Sequence, residues 1–257
     1  MKSSSTRLPN PALAAEKLLS RGAVCAPPVD LSKLISLWPN LFLTEEDLEN
    51  EGYLIPIGEL GAEILVKRLD KEERKRFTIA HELGHWVLGL ALQKKAGHFS
   101  QPKNAHHYEI ERWCDEFATN LLMPEPMIRA SISPNDPVLI FDSLTRAASR
   151  FKVSDEALFI RVWEVLRIQV VILSLSTVLA DKEALIERSF ADQQASATLE
   201  KALERPEVIE QLQMSPLIYF SLSTNIGRVK CFGRRLPMDR IFLILKWPDL
   251  ATESQES

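Results

Sequence analysis

The sequence predicts an α+β protein: a mostly helical first domain with a small sheet, a helix-turn-helix-like segment, and a small α+β C-terminal domain. Three observations predict it. Residues 71–92 and 107–122 carry apolar residues at helical spacing over long stretches. Residues 41–67 alternate instead, and Gly52, Gly58 and Gly61 break them into short strands. After residue 168 the order becomes strand, helix, strand, strand, strand. The expected division of the 257 residues is therefore 1–130, 131–167 and 168–257.

The first helix covers residues 10–21, with Pro11 early, Leu13, Ala14, Lys17 and Leu18 at helical spacing, and Gly22 as its stop. Pro27 and Pro28 force an extended run, after which Asp30 caps a helix over Leu31–Leu37. Strands follow at Gly52–Pro56 and Ala62–Val66. A long helix runs from Lys71 to Leu92, with Gly97 ending it after a basic last turn. Residues 97–106 read as a loop. The next long helix is His107–Leu122, terminated by Pro124 and Pro126. Two short helices flank Lys152-Val153-Ser154, where Ser154 caps the second. In the last part, Gln169–Ser176, Leu217–Ser223, Arg228–Arg234 and Ile241–Trp247 read as strands. Lys182–Leu212 reads as a polar helix interrupted near Arg205-Pro206.

Bulk properties narrow the function classes. The net charge of −4 supplies no global basic field for nucleic acid or anionic membrane. No apolar run approaches the ~20 residues that span a bilayer, and Met1–Asn10 lacks the apolar region of a signal peptide. Cys25, Cys114 and Cys231 are far apart and odd in number, so neither a disulfide framework nor a cysteine-based zinc site is expected. A reducing cytoplasm is the expected compartment.

His81-Glu82-Leu83-Gly84-His85 forms an H-E-x-x-H motif. On a helix, residues i and i+4 share a face, so the two imidazoles can hold one Zn2+. Glu82 beside them is placed to act as a general base on water. With five histidines in the chain, chance would supply this pattern about 0.01 times, so the motif is informative. Its apolar context, with Phe77, Ile79, Ala80, Leu83, Val87 and Leu90, argues against two merely solvated histidines.

A third protein ligand leaves one open position for water. Glu111 on the second long helix is a candidate, and Asp115 one turn on could orient a ligand histidine. By spacing alone these carboxylates could equally be the polar face of an amphipathic helix. His106, His107 and Glu109 are rival ligands. His98, His106, His107 and Tyr108 are candidate donors to a developing oxyanion.

Phe77-Thr78-Ile79-Ala80-His81-Glu82-Leu83-Gly84-His85, then Glu111, Cys114-Asp115, Phe117-Ala118 and Leu121-Leu122-Met123-Pro124, resemble the ImmA/IrrE family of bacterial metallo-endopeptidases. Pro27-Pro28-Val29-Asp30-Leu31 resembles its N-terminal region, so the likeness covers about residues 10–165. It implies a zincin-like peptidase domain with His81, His85 and Glu111 as metal ligands and Glu82 as catalytic base. Two positions depart from the family's pattern: Cys114 where alanine is usual, and Asp115 where asparagine is usual. Cys114 reads as a packing residue, and an aspartate can still accept an imidazole N–H.

The resemblance implies a regulatory protease whose protein substrate is a helix-turn-helix transcriptional repressor, cleaved in a stress response. The alternative is a non-catalytic zinc-fold regulator that binds a repressor or DNA without hydrolysis. Direct reading of DNA by residues 141–166 is not expected, because Asp155 and Glu156 open the second helix where phosphate contacts would lie. The basic strand Arg228–Arg235 reads as a solvated sheet face, and the C-terminal domain as a sensor or partner-binding module.

Overall fold

A computed structural model describes residues 8–92, 107–132, 137–176, 183–190, 193–205, 208, 210, 212, 217–224, 227–236 and 240–246. The chain divides into two compact units: residues 1–132 with 144–158, and residues 133–143 with 159–257.

The first unit begins with α1 (Pro11–Arg21), whose N-terminus is capped by the Asn10 side chain accepting from the Leu13 amide at 2.9 Å. Gly22 is the C-cap, where the sequence places it. Asp30 caps α2 (Leu31–Ile35) by accepting from the Lys33 amide at 3.0 Å. That helix is shorter than the expected Leu31–Leu37.

A three-stranded sheet follows: β1 (Leu41–Glu46), β2 (Gly52–Ile57) and β3 (Gly61–Lys67), in the order β1-β3-β2. β1 pairs with β3 in parallel and β2 pairs with β3 antiparallel, so β1 and β2 are the edges. Ala62, Ile64 and Val66 on β3 are fully buried, together with Leu54 of β2. Their alternation fixes which face of the sheet is covered.

The long helix is α3 (Glu72–Ala91), with Glu72 and Glu73 in its first turn, where the macrodipole favours acids. The expected stop at Gly97 lies outside the described residues. Gly52 lets β2 approach this helix: a Cβ there would meet Thr78 Cγ2 at 2.4 Å and the Leu65 carbonyl at 2.8 Å. The second long helix, α4 (His107–Leu122), buries Ile110, Trp113, Cys114, Phe117, Ala118 and Leu121. Pro124 and Pro126 end it as expected, and they also open a further helix, α5 (Glu125–Ser131), which the sequence reading did not anticipate.

The helix-turn-helix-like pair is α6 (Pro137–Phe151) and α7 (Asp155–Leu166). Lys152 between them adopts φ 54°, and the Ser154 hydroxyl accepts from the Ala157 amide at 3.2 Å.

The second unit contains a five-stranded antiparallel sheet of β4 (Gln169–Ser176), β5 (Glu183–Phe190), β6 (Leu217–Thr224), β7 (Gly227–Leu236) and β8 (Arg240–Lys246), ordered β5-β4-β8-β7-β6. The helix α8 covers only Gln193–Leu203. The polar helix expected over Lys182–Leu212 is thus corrected at its start. Glu183–Phe190 forms a strand paired with β4, and that pairing overrides the helix propensity of Glu, Ala and Leu. Among the described residues, no helix is long and apolar enough to cross a membrane.

Candidate metal centre

α3 and α4 pack against each other, and Gly84 sets how closely. A Cβ at Gly84 would lie 3.1 Å from Phe117 Cδ1 and 3.3 Å from Cys114 Cα. With no side chain in the way, the face carrying His81 and His85 comes within reach of Glu111.

Three candidate ligand side chains then converge. His81 Nε2 lies 3.2 Å from His85 Nε2 and 3.2 Å from Glu111 Oε2. His85 Nε2 lies 3.4 Å from Glu111 Oε1. A tetrahedral zinc with bonds of about 2.05 Å has ligand–ligand edges of about 3.3 Å. The two imidazoles and the carboxylate therefore already stand at the separations that one small ion requires. The donor set, two imidazole nitrogens and one carboxylate oxygen, suits zinc.

Cys114 competes with Glu111 on proximity. Its sulfur and the ligand nitrogens of His81 and His85 all lie within 4.8 Å of one another. Burial pushes its thiol well above the ordinary range, and the charges of Glu111, Glu82 and Asp115 push it further. A thiol must lose its proton to bind a metal, and without an ion this environment works against that step. Its full burial against α3 fits the packing role expected of it.

The opposite ring nitrogen of His81 is also held. Nδ1 lies 2.8 Å from Asp115 Oδ1, which fixes the ring's orientation. Burial pulls the His81 imidazole down, but Asp115 and Glu111 on its two nitrogens outweigh this and hold it up at about 9. Glu111 is held well below the usual carboxylate range, chiefly by His81 and then His85. Among the described residues, His85 Nδ1 is buried with no hydrogen-bond partner.

Glu82 is buried on the same helix, 9% exposed. Burial pushes its carboxyl up, partly offset by His85 and His81. Its carboxylate accepts a hydrogen bond from the Leu54 backbone N–H on β2. Sequence reasoning missed this contact, because a main-chain donor leaves no mark in residue identity.

The remaining candidates separate as follows. His107 Nδ1 lies 3.5 Å from Glu111 Oε1, beside the cluster. Tyr108 is 78% exposed and Glu109 is also exposed. His98 and His106 lie outside the described residues.

Residues 41–162 match the peptidase family described as the IrrE N-terminal-like domain. The chain is 29% identical over 142 residues to the radiation response metalloprotease IrrE of Deinococcus radiodurans, covering 54% of this chain and 41% of that protein. It thus spans about two fifths of that relative's length. A solved structure of a Mycobacterium tuberculosis transcriptional regulator superposes with a TM-score of 0.54 at 13% identity, covering 91% of this chain and 74% of the other. At that identity the likeness concerns the fold alone.

Proposed function

Since residues 41–162 belong to the ImmA/IrrE family of metallopeptidases, we propose that this chain is a zinc-dependent endopeptidase of the cytoplasm with a regulatory protein substrate. The observation that carries the proposal is the triangle of His81, His85 and Glu111, with the buried Glu82 beside it. Zinc, when bound, would polarise the scissile carbonyl and acidify water at the fourth position.

The chain's own groups do the rest. His81, His85 and Glu111 would hold the ion, and Asp115 would keep the His81 ring turned towards it. Glu82, raised by burial, accepts a proton from the attacking water and returns it to the leaving nitrogen. The Leu54 amide steadies that carboxylate between the two transfers. β2 is a sheet edge, and Leu54 turns its N–H away from β3 towards Glu82. An extended peptide laid along this edge would run past the general base, as in strand addition. The Leu54 N–H is already held by Glu82 and Pro56 has none, so the pairing would be short.

A helix-turn-helix repressor is the substrate class that the family membership suggests, in a stress response or the control of mobile genes. The decisive experiment is Glu82→Gln. The variant should keep its zinc and lose hydrolysis of a candidate repressor by about 100-fold or more. Full activity in this variant would remove Glu82 from the mechanism. A wild-type protein that loads zinc and binds the repressor but cleaves nothing would favour the non-catalytic regulator instead.

A further inference from the structure

Away from the ligand cluster, the first unit holds a groove of about 270 Å3 between α1 and the C-terminal half of α3. Leu13, Leu18, Trp38, Val87 and Trp113 line it. Trp113 is 5% exposed and already donates its indole N–H to the Pro9 carbonyl at 2.5 Å. Asn10 spends its side-chain oxygen on the Leu13 amide. The deep lining therefore offers an occupant mainly apolar contact.

The rim is different. Lys17 and Arg21, one turn apart on α1, both border the groove and are exposed. Arg21 stacks its guanidinium over Trp38, 5.4 Å from the ring centroid. Neither cation has a carboxylate partner among the described residues. Two neighbouring unpaired cations repel each other, and an anion placed between them relieves that repulsion. The guanidinium fork of Arg21 matches the two oxygens of a carboxylate.

We infer that this groove binds a small amphipathic monocarboxylate, its apolar body against Trp38 and Trp113 and its carboxylate on Lys17 and Arg21. The volume equals about nine waters at ~30 Å3 each, room for an acyl chain of about eight carbons or a phenyl ring with a short acid tail. The cations account for the charge and the tryptophans for the body. The inference does not depend on peptidase activity.

The test is isothermal titration of the zinc-loaded full chain with four probes: octanoate, 3-phenylpropanoate, octanol and octyltrimethylammonium. At least one carboxylate should bind saturably at one site, and octanol about fivefold more weakly or not at all. The cationic probe should not bind. Preference between the two carboxylates distinguishes an aliphatic source from an aromatic one. Lys17→Gln with Arg21→Gln changes only exposed side chains and should bring the carboxylates to the octanol level. Val87→Trp should fill the groove and abolish binding. If its circular dichroism shows misfolding, Ala14→Leu fills the same space from α1. Absence of saturable carboxylate binding, or binding unchanged by the double glutamine variant, would overturn the inference.

Discussion

Replacing Glu111 and Cys114 in turn separates the two candidate third ligands. A full zinc site in a small peptide is worth about 10–16 kcal/mol over four ligands, so one ligand contributes about 3 kcal/mol, or about a hundredfold in affinity. The Glu111 side chain is 34% exposed, so water can partly replace it. Glu111→Ala should therefore weaken zinc binding by tens of fold, up to about a hundredfold. Cys114→Ala deletes one buried sulfur without touching the 3.2–3.4 Å triangle of nitrogens and oxygens. It should cost about 1 kcal/mol of stability and leave zinc affinity unchanged. Competition with a chromophoric chelator measures the affinities, and metal content after dialysis checks them. If Cys114→Ala sheds zinc while Glu111→Ala keeps it, the ligand assignment is wrong, and the separations that match a tetrahedral edge are coincidence.

Three further outcomes follow from the same geometry. Asp115→Leu removes the acceptor 2.8 Å from His81 Nδ1 and should lower zinc affinity about 10-fold, the low end for an outer partner, because the Asp115 side chain is 57% exposed; unchanged affinity would show that the ring needs no such support. Gly84→Val puts a branched side chain where a Cβ already meets Phe117 at 3.1 Å, and should cost about 1–3 kcal/mol on chemical denaturation together with reduced zinc content; a stable, fully loaded variant would refute the close-packing argument. Alkylation followed by mass spectrometry should modify Cys25 alone in the native protein at pH 8, because Cys114 and Cys231 are buried and burial pushes the Cys231 thiol up to about 12. All three thiols should react in denaturant, and fast modification of either buried thiol in the native state would contradict the packing described.

Much of the fold could be read because its signals are local. Asp30 and Ser154 cap the helices they precede, since each side chain needs only an amide three residues on. Apolar spacing likewise located α3 and α4. The errors arose where a distant partner decides. Glu183–Phe190 contains good helix formers, yet it lies in a ladder with β4 whose other side is held by β8, a strand more than fifty residues further on. α5 is hidden in the sequence for a different reason: Pro124 and Pro126 signal a stop, although a proline in the first turn also begins a helix.

The candidate site divides along the same line. His81, Glu82 and His85 share one helix, so their spacing alone puts them together. Glu111 and Asp115 share another, and their spacing says only that they face one way. Bringing the two helices to ligand distance depends on Gly84, a residue with no chemistry of its own, which admits the Cys114 and Phe117 stripe of α4. Holding Glu82 depends on Gly52, which lets β2 lie against α3 and so presents the Leu54 amide. The side chains with chemistry are therefore legible singly, and the distances between them are set by two glycines. Whatever separates α3 from α4, or β2 from α3, should disturb the centre without altering any candidate ligand or Glu82.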